Sequence, residues 1–133
     1  MDVRGWISLV MVGIMCCTAA AQESRNRKQF KNIGVEEFDK LRRHTNTVVL
    51  DVRTPREFAE GHISGATNLN WNSADFEKRV AGLDKSKTYL VNCAVGGRSA
   101  KASEKLASLQ LTNVYNLEGG IKAWEKAGKP VEK

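Results

Sequence analysis

Residues 93–99, CAVGGRS, combine a thiol, two glycines and an arginine in one short stretch, which we call the thiol loop. The loop follows a buried-strand pattern and precedes a segment with helical periodicity, so its backbone N–H groups and a helix N-terminus can face one side chain. Gly96 and Gly97 allow the positive φ angles that a tight curl needs, and Arg98 adds a permanent charge. Because each feature stabilises a thiolate, we predict that Cys93 has a lowered pKa and acts as a nucleophile.

The residues alone leave a second interpretation of Cys93 open. A free cysteine is often buried and inert, in which case the loop is an ordinary strand-to-helix connection and Arg98 is a solvated side chain. The chain has two histidines, so the loop rather than a histidine base is expected to activate the thiol. We interpret His62 as a structural turn residue and His44 as a surface residue.

Strand-like and helix-like segments alternate around the thiol loop. Strands are predicted at Lys31–Ile33, Thr47–Asp51, Ala66–Leu69, Thr88–Asn92 and Asn113–Leu117, and helices at about 35–43, 54–61, 76–83 and 99–109 and after Gly119-Gly120. This alternation predicts a three-layer α/β fold, with a mainly parallel central sheet covered by helices on both faces. Ligands of such sheets bind beyond the carboxyl ends of the strands, where Asp51 and Cys93 lie.

Three segments, in order, resemble the signatures of rhodanese-homology domains. They are DVRTPREFAEGHISGATNLN at 51–70, CAVGGRS at 93–99 and LEGGIKAW at 117–124. The resemblance covers about residues 31–130, which we assign as one rhodanese-like domain. It implies a five-stranded parallel sheet and a sulfurtransferase, in which a Cys93 persulfide carries a sulfane sulfur from a donor to a thiophilic acceptor.

The resemblance also implies roles for the residues around Cys93. Arg98 is expected to be catalytic with it, and the substrate-binding loop consists of Ala94, Val95, Gly96, Gly97 and Ser99. Asp51 and Arg53 resemble positions that buttress the loop, and Glu57 is placed to pair with Arg98 across the cleft. The alternative for each of these three supporting residues is an ordinary surface charge.

The length and composition of the loop narrow the expected chemistry. Within this family, the six-residue spacing C-x4-R goes with sulfur transfer, and a loop longer by one residue goes with phosphatases and arsenate reductases. Many relatives that use thiosulfate carry a basic residue directly after the cysteine, whereas Ala94 and Val95 are apolar. A polysulfide or protein persulfide is therefore expected to fit better than thiosulfate. The alternative function is a non-catalytic sulfur-carrier or partner-binding module.

The N-terminus has the pattern of a secretory signal. Arg4 precedes the apolar run GWISLVMVGIMCCTAAA, which ends in small residues at Ala19 and Ala21. We predict that residues 1–21 are removed, that residues 22–30 form a basic polar tail, and that the protein is periplasmic or secreted without stable membrane insertion. Anchoring through this segment and lipidation of a cysteine are the alternatives, since the run is short for a membrane span.

Composition limits the remaining classes of function. The chain has 133 residues and a net charge of +6, and its 41% hydrophobic and 27% charged residues exclude a disordered chain. Three cysteines are too few for a disulfide-dense miniprotein. Removal of Cys16 and Cys17 with the signal leaves Cys93 without a disulfide partner. We expect no cofactor, no metal and no nucleic acid, because no ligand cluster or basic stripe is present. The expected partners are a small sulfur donor and a thiol or cyanide acceptor, with a protein acceptor as an alternative, and the expected state is a monomer.

Overall fold

A five-stranded parallel sheet forms the centre of the structure, a computed structural model that describes residues 29–133. The predicted signal, residues 1–21, and the predicted tail up to residue 28 lie outside the described residues. The strands are β1 (Lys31–Ile33), β2 (Thr47–Asp51), β3 (His62–Ile63), β4 (Thr67–Asn68), β5 (Thr88–Asn92), β6 (Asn113–Leu117) and β7 (Val131–Glu132). The helices are α1 (Val35–Arg42), α2 (Pro55–Glu60), α3 (Phe76–Ala81), α4 (Gly97–Ser108) and α5 (Gly120–Lys126).

The sheet has the order β1-β6-β5-β2-β4, and its two faces carry separate cores. Side chains of a strand alternate between the faces, so Tyr89 and Val91 pack with α3 and α4 while Leu90 packs with α1 and α5. Trp124 is fully buried in the second core, where its indole N–H donates to the Pro130 carbonyl at 2.9 Å. The predicted three-layer α/β fold is confirmed.

A two-stranded antiparallel pair, β3 with β7, was not predicted from the sequence. Each strand has only two residues, which is too short for alternation to show. His62 lies in this pair, where its ring stacks on Phe58 with centroids 3.7 Å apart and its Nδ1 lies 2.9 Å from the Phe58 carbonyl oxygen. His62 therefore has structural contacts, as expected, but it lies in a strand rather than in the predicted turn, and His44 is exposed.

The ends of β2 and β5 lie side by side, since Asp51 pairs in register with Asn92. Cys93 directly follows, so the predicted site residues meet at the carboxyl edge of the sheet. Within residues 29–133, no helix is long and apolar enough to cross a membrane. The same residues contain no group of three or more His, Cys, Asp and Glu side chains that could hold a metal ion.

Candidate active site

The thiol loop surrounds the sulfur of Cys93 with hydrogen-bond donors. The Gly96 N–H donates to Sγ at 3.0 Å, and the Ser99 hydroxyl donates to Sγ at 3.3 Å. Both residues come after Cys93, so the chain must curl back over its own side chain. It does so at Gly96, whose φ of +109° lies in the region that glycine adopts readily. The sulfur is thus enclosed by its own loop, and Cys93 is fully buried.

These donors change the acidity of the thiol. Burial by itself raises the pKa of Cys93. Hydrogen bonds from the Ser99 hydroxyl and from the backbone N–H groups of Ser99, Gly96 and Val95 outweigh burial and bring the pKa below its usual value. Since the thiolate is the nucleophilic form, the loop prepares Cys93 for attack on an electrophilic sulfur.

The other predicted residues of the thiol loop differ in their exposure and backbone conformation. Val95 is 60% exposed at the tip of the loop and Ala94 is half-buried, so the rim beside Cys93 is apolar. The predicted positive φ at Gly97 is wrong, because Gly97 has helical geometry as the first residue of α4. Helix α4 therefore starts two residues before the predicted start at Ser99, and one glycine is enough for the curl.

Arg98 forms a bidentate ion pair with Glu57. Its Nη1 donates to Oε1 at 2.8 Å and its Nη2 to Oε2 at 2.9 Å, and both side chains are about one-third exposed. The Glu57 backbone N–H donates to the Thr54 hydroxyl, and the Thr54 N–H donates to the Glu57 carboxylate, so Glu57 also completes a capping box at the start of α2. The Arg98 hydrogen bond, more than any other contact, lowers the pKa of Glu57 to about 2.

Asp51 and Arg53 form a second ion pair, which is almost fully buried. Arg53 donates through Nε to Oδ1 at 2.9 Å and through Nη2 to Oδ2 at 2.7 Å. The same Nη2 donates to the Gly61 carbonyl at 2.7 Å, and the Asn68 amide donates to the carbonyls of both Asp51 and Arg53. This pair fastens the C-terminal end of α2 to β2, so its hydrogen bonds hold the helix that carries Glu57.

Helix α5 holds the thiol loop from its other side, a contact that the sequence did not predict. The Ile121 N–H donates to the Cys93 carbonyl at 2.9 Å, and the Lys122 N–H donates to the Ala94 carbonyl at 3.2 Å. A Cβ at Gly120 would lie 2.4 Å from the Ala94 carbonyl oxygen, so only glycine allows this approach. The double glycine in LEGGIKAW is the signal that could have indicated it.

Comparisons with known proteins agree on one family. A family model described as a rhodanese-like domain matches residues 34–127. Thiosulfate sulfurtransferase GlpE of Pseudomonas putida is 37% identical over 105 residues, which is 78% of this chain and 92% of that protein. Thiosulfate sulfurtransferase 16, chloroplastic, of Arabidopsis thaliana is 38% identical over 62% of this chain and 78% of its own length. The crystal structure of a rhodanese-related protein from Thermoplasma volcanium superposes with a TM-score of 0.68 at 34% identity, covering 77% of this chain and 97% of that one.

Proposed function

Because the chain belongs to the rhodanese-like domain family, we propose that it is a sulfurtransferase that moves a sulfane sulfur from a donor to a thiophilic acceptor through a persulfide on Cys93. The observation that carries this proposal is the position of Sγ, which receives hydrogen bonds from Gly96 and Ser99. The sulfurtransferase names of the curated relatives support the same activity.

The first half of the reaction loads the enzyme. The Cys93 thiolate attacks the terminal sulfur of the donor, the bond between that sulfur and the rest of the donor breaks, and the leaving group takes the electron pair. With thiosulfate the leaving group is sulfite, and with a persulfide it is a thiolate. The products are a Cys93–S–S⁻ persulfide and the shortened donor, so charge is conserved.

The second half of the reaction transfers the outer sulfur of the Cys93 persulfide to the acceptor. An acceptor thiolate or cyanide attacks the outer sulfur of the persulfide, and Cys93 leaves as the thiolate with the electron pair. Each half therefore ends with a negative sulfur inside or at the thiol loop, where the N–H and hydroxyl donors stabilise it. Since Cys93 is fully buried, a single terminal sulfur suits the donor better than a bulky reacting group.

We further propose that polysulfides or persulfide groups are better donors than thiosulfate. The apolar side chains of Ala94 and Val95 support this, because neither adds a positive charge to the loop for a dianion. The names of the relatives record thiosulfate as a substrate of those proteins. A ratio of kcat/KM that favours thiosulfate over a polysulfide would contradict this part of the proposal.

One experiment tests the sulfurtransferase activity itself. The protein is incubated with thiosulfate or polysulfide, and intact mass is measured before and after cyanide is added. We expect one added sulfur on the wild type that cyanide removes as thiocyanate, and none at this position in Cys93→Ser. Absence of added sulfur on the wild type, or equal turnover by Cys93→Ser, would refute the activity. Loading without turnover would instead indicate the sulfur-carrier alternative.

We also propose that the protein is exported. The basic residue, apolar run and small residues at the N-terminus support a signal that ends at Ala21. Cell fractionation followed by N-terminal sequencing tests this, and we expect an extracytoplasmic protein that begins at Gln22. A protein that retains residues 1–21 and remains with the membrane fraction would support anchoring through that segment.

A further inference from the structure

Both arginines near the active site are already occupied by carboxylates. Arg53 is held by Asp51 in a pair with side chains 7% and 0% exposed. Arg98 directs Nη1 and Nη2 at the two oxygens of Glu57, and this is one of the two donor pairs with which an arginine binds an oxyanion bidentately. A doubly charged donor at Cys93 therefore meets an Arg98 side chain that is already hydrogen-bonded to the Glu57 carboxylate.

We propose that Glu57 determines donor specificity: by occupying both terminal nitrogens of Arg98, its carboxylate withholds that cation from sulfonate-bearing donors and favours polysulfide or persulfide donors. This inference rests on the sulfurtransferase function proposed above. The substrate step is unchanged, since the Cys93 thiolate takes the terminal sulfur of thiosulfate and releases sulfite. Only the binding of the dianion before attack is affected.

The surroundings of Glu57 support a carboxylate that stays charged and in place. It is fixed from two directions, by Arg98 and by the Thr54 hydroxyl, which donates to Oε1 at 3.1 Å. The pKa of Glu57 is lowered to about 2, first through the Arg98 hydrogen bond. The pair therefore persists throughout the pH range in which the thiol ionises, and a dianion must compete with it at every working pH.

Glu57→Gln tests the inference with little structural change. Glutamine also suits this position of a capping box, and its amide oxygen can still accept from Arg98, while the negative charge is removed. We expect the KM for thiosulfate to fall about tenfold and the KM for polysulfide to change less than twofold. A tenfold change corresponds to about 1.4 kcal/mol. The fall in the KM for thiosulfate should disappear in the double variant Glu57→Gln/Arg98→Met, because it depends on the positive charge of Arg98.

Glu60→Gln is the matched control, since it removes the same charge from the same helix at a side chain that is 70% exposed and 3.8 Å from Arg56. It should leave both KM values unchanged. If Glu57 only positions Arg98, Glu57→Gln will raise KM or lower kcat for both donors alike, and that result overturns the inference. An equal fall in Glu60→Gln would also overturn it, as a general charge effect.

A measurement with Glu57 intact keeps the inference testable if Glu57→Gln does not fold. Lys122 is an exposed cation in the same cleft, so the measurement uses Lys122→Met. With Arg98 paired to Glu57, the KM of this variant for thiosulfate should change little between low and physiological salt. A steep rise of that KM with salt would contradict the inference. Failure of the wild type to form a Cys93 persulfide with any donor would refute the sulfurtransferase itself, whereas normal loading with an unchanged donor ratio in Glu57→Gln refutes only the role of Glu57.

Discussion

Ser99→Ala tests whether hydrogen bonds activate the thiol. The Ser99 hydroxyl lies 3.3 Å from Cys93 Sγ and 3.2 Å from the Gly96 carbonyl oxygen, and its single proton can go to only one of them. The Gly96 carbonyl already accepts from the Ala100 N–H at 3.1 Å. The thiolate is therefore the acceptor that needs the hydroxyl, and alanine at this fully buried position removes that donor without adding volume.

The size of the effect follows from the charge on the acceptor. A hydrogen bond to a charged group contributes roughly 1.5–3 kcal/mol. Because the hydroxyl oxygen lies at 3.3 Å from Sγ, we use the lower end, which corresponds to about a tenfold loss of thiolate at a pH below the pKa. Ser99→Ala should raise the pKa of Cys93, because it removes a hydrogen bond that lowers this pKa and leaves the burial that raises it.

The assay is the ultraviolet absorbance of the thiolate as a function of pH, with Cys93→Ser as the background so that Cys16 and Cys17 cancel. We expect the Ser99→Ala transition at higher pH and persulfide formation at neutral pH slowed about tenfold. Ser103→Ala is the control, because Ser103 is equally buried on α4 and its hydroxyl has no hydrogen-bond partner within residues 29–133. A Ser99→Ala curve that overlays the wild type, or an equal shift in Ser103→Ala, would refute the reasoning.

Other parts of the site give separate predictions. Gly120→Ala should lower the free energy of unfolding by more than about 2 kcal/mol and reduce activity, because its Cβ would lie 2.4 Å from the Ala94 carbonyl oxygen at a φ of +62°; a denaturant midpoint equal to the wild type would contradict this. Asp51→Asn should cost about 3–5 kcal/mol in urea unfolding, because it leaves the buried Arg53 guanidinium without its counter-charge; a loss below about 1 kcal/mol would show that Arg53 does not need the charge of Asp51. Because the pKa of Glu57 is lowered, its pair with Arg98 stabilises the fold fully above pH 4.5, the usual pKa, and this contribution is lost as the pH falls toward about 2. In Glu57→Gln, the melting temperature should therefore fall less between pH 4.5 and about 2 than it does in the wild type.

The sequence predicted best those elements that are set by local pattern. The bounds of β2, β5 and β6 agree to the residue. For β2 and β5 the reason is that a buried parallel strand is a continuous apolar, β-branched run with polar residues at its ends. The Thr54-Pro55 start of α2 was equally clear, since N-cap and proline preferences act within one turn. The predicted strand Ala66–Leu69 is reduced to Thr67–Asn68, the two residues that pair with Leu50 and Asp51 of β2.

Long-range contacts could not be predicted in the same way. Nothing local distinguishes Gly97, which is helical, from Gly96, which curls back over the sulfur. The close approach of Gly120 to the thiol loop depends on how α5 docks. The buried pair of Asp51 with Arg53 was expected beside the loop, but its bond to the Gly61 carbonyl places its effect on α2.

The groups around Cys93 show that the thiolate is stabilised by the thiol loop rather than by the net charge of the protein. Arg98 was expected both to favour the thiolate and to pair with Glu57, and Glu57 raises the pKa of Arg98 more than the Cys93 charge does. A cation paired in this way favours a nearby thiolate less than a free cation would. The nearest donors to the sulfur are neutral groups within 3.3 Å of it, the Gly96 N–H and the Ser99 hydroxyl. Because they belong to the loop itself, they remain available to the singly charged persulfide as well as to the thiolate, so one arrangement serves both halves of the reaction.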